Sequence, residues 1–169
     1  MAELIIAGVT VPHIAGLELT QTYSGLQGSE RLRTMDGTAI QQTRWNGKLA
    51  TTIRGSGWMP AELGAIDWAV PVELRCIAPR AVASQSNVIA LPAPRRLDEE
   101  PIGYALTGSG WVQTGIAVAS DVATLVAVTG ATAYRVHYLP QLQVFANPVS
   151  ESGDLAGGNF GWSLEAESV

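Results

Sequence analysis

The 169 residues contain one cysteine, so neither an intrachain disulfide nor a multi-cysteine metal site is available. In VPVELRCIAP, Val72, Leu74 and Cys76 alternate with Glu73 and Arg75, which reads as a strand with a small buried thiol rather than a nucleophile. Charge is also sparse. Charged residues make up 15% of the chain, the net charge is −5, and no basic cluster is longer than Arg95-Arg96, which argues against sequence-specific binding of DNA or RNA. Long apolar runs are missing. The run in MAELIIAGVTVPHIAG carries Glu3 and is broken by Gly8 and Pro12, so neither a signal peptide nor a membrane span is expected, and the chain is expected to be soluble and made in a cytoplasm.

Catalytic signatures are scarce as well. His13 and His137 are far apart and have no carboxylate at metal-ligand spacing. Gly-x-Ser-x-Gly, a phosphate loop and H-E-x-x-H do not occur. The acidic run Asp98, Glu99, Glu100 adjoins two arginines and reads as a solvated, self-neutralising loop rather than an acid–base pair. No catalytic residue, cofactor or metal is therefore expected, and the chain does not read as an enzyme.

What is present is punctuation. Hydrophobic residues reach 47%, and 18 Gly and 9 Pro cut the chain into short pieces, which predicts a mainly β protein built from many short antiparallel strands. The length allows one domain with a real core, or one domain carrying a small insertion.

The densest signal lies at 31–58, where Asp36-Gly37 and Asn46-Gly47 each propose a hairpin turn and together predict a three-stranded meander of RLRTM, TAIQQTRW and KLATTIRG. The middle strand is polar. Thr38, Ile40, Gln42 and Arg44 alternate with Ala39, Gln41, Thr43 and Trp45, a pattern suited to a sheet wall completed by a partner or lining a channel. A solvent-exposed hairpin in an ordinary β-domain fits the same residues.

Elsewhere, ELIIAGVTVP predicts a strand or hairpin bending at Gly8, LELTQTY a strand, and SGLQGSE a loop into the meander. Pro60 could open a short helix through AELGAIDW with Leu63, Ile66 and Trp68 on one side. Residues 79–101 read as a boundary or long loop with a short strand at VIALP. GYALTG, WVQTGIAVA, TLVAVTG and AYRVHYLP then form an antiparallel unit. After Pro140 the chain is expected to return to the first sheet and, past a glycine loop, to close with WSLEAE. The implied organisation is a β-domain over 1–96, an inserted β-unit over 97–137, and closing strands over 138–169. The repeated GSGW at Gly55–Trp58 and Gly108–Trp111 has unmatched flanks and reads as turn chemistry, not duplication.

Five tryptophans (Trp45, Trp58, Trp68, Trp111 and Trp162) sit at strand or turn edges, where stacking on sugars, core anchoring and a subunit interface are all open readings. A carbohydrate-binding β-sandwich module that recognises host-surface glycans is the alternative reading of the chain.

LRTMDGTAIQQTRWNGKLATTIRGSGWMPAELGAIDWAVPVELRCIAPRAV, together with ATAYRVHYLPQLQVFANPVSESGDLAGGNFGWSLEAE, resembles small structural proteins of long-tailed bacteriophage tails. The most specific parts are the MDGTAIQQTRW segment, GSGWMPAEL running into VELRC, and the closing GWSLEAE. The resemblance implies a tail-tube-like antiparallel β-barrel or sandwich with one short helix and an added small β-unit. It implies a virion protein near the tail tip, similar to distal tail proteins, made in the bacterial host cytoplasm. Such a protein would form a homo-oligomeric ring, expected to be hexameric, between the tail tube and the baseplate hub. DNA would be met only in passage through the lumen, and no membrane would be involved. A weakly acidic wall would let phosphate pass without holding it. Within the ring, Thr38, Gln41, Gln42, Thr43 and Arg44 are the lumen or assembly candidates. Asp36, Gly37, Asn46 and Gly47 are the turn residues, and Trp45, Trp58 and Trp68 the core or interface anchors.

Overall fold

In a computed structural model, residues 2–154 and 156–169 are described. The protein is mainly β, with 59% of residues in strands and 2% helical, and its sheets are antiparallel and of a sandwich-like class. None of them closes into a barrel, so of the two expected forms the barrel is excluded.

Among the described residues fifteen strands follow one another: β1 (Ile5–Ile6), β2 (Val9–Thr10), β3 (Glu18–Arg33), β4 (Ala39–Gly57), β5 (Val72–Arg75), β6 (Arg80–Ser84), β7 (Val88–Ala90) and β8 (Ile102–Thr107) in the first part. The chain continues with β9 (Gly110–Thr114), β10 (Ile116–Ala119), β11 (Val122–Leu125), β12 (Ala133–Tyr138), β13 (Gln141–Ala146), β14 (Ser150–Asp154) and β15 (Asn159–Ser168). A 3₁₀ turn, His13–Ala15, precedes β3.

Two compact units result. One comprises Met1–Gly8 with Glu73–Leu142, the other Val9–Val72 with Gln143–Val169.

In the first unit, a three-stranded sheet, β10-β11-β7, and a four-stranded sheet, β6-β12-β8-β9, enclose a core. Ile89, Ala123 and Leu125 from one sheet meet Ala105, Tyr134 and Val136 from the other. Alternation explains this. On β12 every second residue, Tyr134, Val136 and Tyr138, is buried, while Arg135 and His137 point the other way. Outside the two sheets β1 pairs with β5, and the backbone N–H of Cys76, just beyond β5, donates to Pro140 O at 3.0 Å.

The segment 79–101, read as a boundary or long loop with a short strand at VIALP, holds that strand as β7 but also β6, which pairs with β12 from Arg80↔Tyr138 to Ser84↔Tyr134; beyond β7 it is held by arginines. Arg96, 3% exposed, donates to both Asp98 oxygens (3.1 and 2.8 Å) and to the carbonyls of Glu3 (2.7 Å) and Cys76 (3.2 Å). Arg75 bonds Glu73 and lies 3.6 Å from Asp98, and Arg95 pairs with Asp121. Hydrogen bonding from Arg96 holds the Asp98 carboxyl below its ordinary pKa.

In the second unit, β4 lies between β3 and β15, and β15 also pairs with β13 and β14. Ile53, Leu164, Val144, Trp162 and Ala166 are buried along these strands, with Ala15, Ala61 and Leu63 also excluded from water.

Three expectations fail here. No helix forms over AELGAIDW: Glu62 takes φ +61°, a left-handed conformation that a right-handed helix cannot contain, and the segment becomes turns that bury Ala61 and Leu63. SGLQGSE is not a loop but part of β3. The tail read as a glycine loop holds β14, paired with β15 from Ser150↔Ser163 to Asp154↔Asn159; Leu155, in the connection, lies outside the described residues.

Candidate assembly surface

The 31–58 region is not a three-stranded meander. Asp36-Gly37 does make a hairpin turn, but Asn46-Gly47 does not: β4 runs uninterrupted from Ala39 to Gly57, opposite β3. Its register shifts between Leu26↔Lys48, Gly28↔Trp45 and Ser29↔Thr43, so the β4 side carries extra residues and the ladder bulges. Gly47 has the positive φ, +79°, that an Asn-Gly pair supplies equally to a turn or to a bulge. One tight turn and two irregularities thus replace two turns, and the result is a single long arm.

The tip of the arm is well specified. Gly37 has φ +85°; its N–H donates to Thr34 O at 2.9 Å, and Thr34 N–H to Thr38 O at 3.0 Å. The Asp36 carboxylate accepts the Thr34 hydroxyl and the Thr38 N–H, and these bonds lower its pKa. Arg33 donates to Gly37 O at 2.9 Å, and Arg31 to the Gln41 side chain at 3.1 Å.

Every residue from 29 to 48 is exposed. At the strand rise of about 3.3 Å per residue, the paired segment from Ser29 to the tip extends roughly 20–25 Å. Leu32 and Ile40 face each other across the arm and are 45% and 47% exposed, and Met35 stands free at the tip. Glu30 lies opposite Gln42, and Arg31 opposite Gln41. Thr38, Gln41, Gln42, Thr43 and Arg44 are therefore brought together on one projecting hairpin, all in solvent.

At the arm's base Trp45 lies across Gly28: a Cβ placed on Gly28 would come within 2.6 Å of Trp45 Cε2. This explains why a glycine-rich stretch is strand and not loop, because the missing side chain is the space the indole occupies. Trp45 remains 49% exposed and Trp58 71% exposed, so neither is a core residue. Trp68 is half-buried and lines an open groove of about 610 Å³ with Thr52, Phe145, Asn147, Glu165 and Glu167.

The indole that does anchor the core is Trp162, packed over Gly55, with its Nε1–H donating to Ala15 O at 2.8 Å. Gly57 admits the backbone of Ala15: a Cβ there would lie 2.8 Å from Ala15 C. The GSG of residues 55–57 is thus a pair of close approaches. In the second GSGW, Gly110 instead takes φ +115° at the β8–β9 hairpin. The sequence signal for the first was the spacing of two glycines within an otherwise regular strand.

The residues considered for chemistry are dispersed. His13 is exposed in the 3₁₀ turn, and Cys76 is a buried free thiol. His137 stacks on Tyr104, and burial, together with the Arg135 charge, lowers its pKa. Among the described residues no three His, Cys, Asp or Glu side chains gather as a metal site, and no helix is long and apolar enough to cross a membrane. No protein family, curated protein or solved structure matches this chain.

Proposed function

We propose that the protein is a structural subunit of a bacteriophage tail. It assembles as a ring, near the tail tip and around the DNA channel, through its β3–β4 arm. The observation that carries this reading is the arm itself: twenty consecutive exposed residues, 29–48, bearing the opposed apolar pair Leu32 and Ile40. A hairpin without a third strand or a packed face is marginal in water. Its apolar pair and the outer edges of its strands gain partners when it lies on a neighbouring subunit.

The resemblance to tail proteins supplies the setting, and the surface chemistry is compatible with it. Around β15 and β4, Glu165 pairs with Thr52, and Ser163 with Arg54. Such a face, wet and without a basic cluster, suits a wall past which a polyanion moves without being held. In this reading Thr38, Gln41, Gln42, Thr43 and Arg44 serve inter-subunit contact, and the tail tube and baseplate hub are the neighbours along the axis.

The experiment is sedimentation of the purified chain, alone and with a tail fraction from particles lacking it, beside a Leu32→Asp/Ile40→Asp variant. The wild type assembles and the variant stays monomeric with an unchanged melting temperature. Assembly of both to the same extent removes the arm from the mechanism.

A further inference from the structure

The outward face of the β6-β12-β8-β9 sheet carries a cation with no counter-ion. Arg135 and Tyr104 are direct cross-strand partners, and Leu106 and Trp111 are the next such pair. The Arg135 guanidinium carbon lies 4.3 Å from the Trp111 ring centroid and 5.5 Å from that of Tyr104. Beyond Tyr104 the His137 ring stacks at 4.9 Å, tilted by 50°. Like Arg31, Arg33, Arg44 and Arg54, Arg135 forms no ion pair among the described residues, but those side chains are exposed, whereas Arg135 is half-buried and its Nε is buried without a hydrogen-bond partner.

A half-buried guanidinium whose carbon lies 4.3 and 5.5 Å from two ring centroids is restrained before any ligand arrives, so less side-chain entropy remains to be lost on binding. Cation–π attraction holds it there but gives its Nε–H no acceptor. The group that completes a guanidinium edge is an oxyanion of planar, two-oxygen geometry. Around it, Trp111 is 39% and Ile102 42% exposed, offering C–H-compatible surface on both sides. The cluster is the size of one or two sugar rings and far below the 20–30 residues per side of a stable protein interface.

We infer that this face binds an acidic saccharide, with the carboxylate of a uronic or sialic acid on Arg135 and a sugar C–H face against the Trp111 edge. The inference goes beyond the assembly reading and does not depend on it, because the arm belongs to the other unit of the chain.

The test is titration calorimetry of the full chain, with tryptophan fluorescence in parallel, against trigalacturonate, its methyl ester and a triglutamate peptide. The acid form binds at least tenfold more tightly than its ester, Arg135→Ala removes the difference, and Arg135→Lys, which keeps charge but not the planar fork, retains only part of it. Thermal melting of both variants stays at the wild-type value, which separates lost binding from lost folding. Equal binding of acid and ester, or no binding of either, overturns the proposal. Equal, Arg135-dependent binding of the triglutamate overturns it too, and makes the face a dock for acidic protein segments.

Discussion

Trp162 occupies the space that a side chain at position 55 would fill: a Cβ on Gly55 would stand 2.6 Å from its Cζ2. The two residues are direct partners between β15 and β4, and the indole N–H is tied to Ala15 O. Gly28 and Trp45 repeat the relationship farther along β4, on its hairpin with β3, and Gly153 with Phe160 repeats it on β14 and β15. One device thus serves two ends, a core in the first case and an exposed arm in the second.

Substituting Gly55 with Ala therefore drives a methyl into the buried indole. Overpacking of this kind costs about 1–3 kcal/mol. Chemical denaturation should show that loss for Gly55→Ala, while Gly28→Ala leaves global stability unchanged because Trp45 packs only on the arm.

Gly47 has open space around its Cα, so only its φ of +79° resists substitution. Gly47→Val should reshape the bulge at a cost of about 1–2 kcal/mol, confined to the arm. The expected outcome is a wild-type melting temperature together with loss of assembly in sedimentation. Unimpaired assembly would show that the bulge does not aim the arm.

Arg96→Met keeps length and removes the charge, leaving the Glu3 and Cys76 carbonyls and Asp98 without their donor. With Asp98 partly exposed, the expected loss is about 2–4 kcal/mol, read by urea unfolding.

The same pair sets an acid dependence. The folded-state pKa of Asp98 lies below the ordinary value of 3.8, so its contribution is present in full above that value and is lost as pH falls through the lowered folded value. Stability measured from pH 5 downwards should drop less steeply in Asp98→Asn than in wild type.

How much of this was legible beforehand follows from local and non-local chemistry. The Asp36-Gly37 turn, the strands around Val136 and Leu164, and the burial of Cys76 are local patterns, and they read correctly. Asn46-Gly47 misled because positive φ is shared by hairpin turns and bulges, and only the partner strand decides between them. Gly25 and Gly28 suggested a loop because the indole that fills the gap over Gly28 lies seventeen positions away, at Trp45. The 60–68 segment had helical spacing, yet one left-handed residue, Glu62, ends any helix there. The Arg135 cluster was invisible because Tyr104, Trp111 and Arg135 meet only across three strands.

The most direct test of the central claim is cryo-electron microscopy of phage particles that carry this gene. The account predicts a ring of this chain at the tail tip, each β3–β4 arm lying on the adjacent copy with Leu32 and Ile40 covered. Particles without density for the chain, or a ring whose arms stand free in solvent, would contradict it.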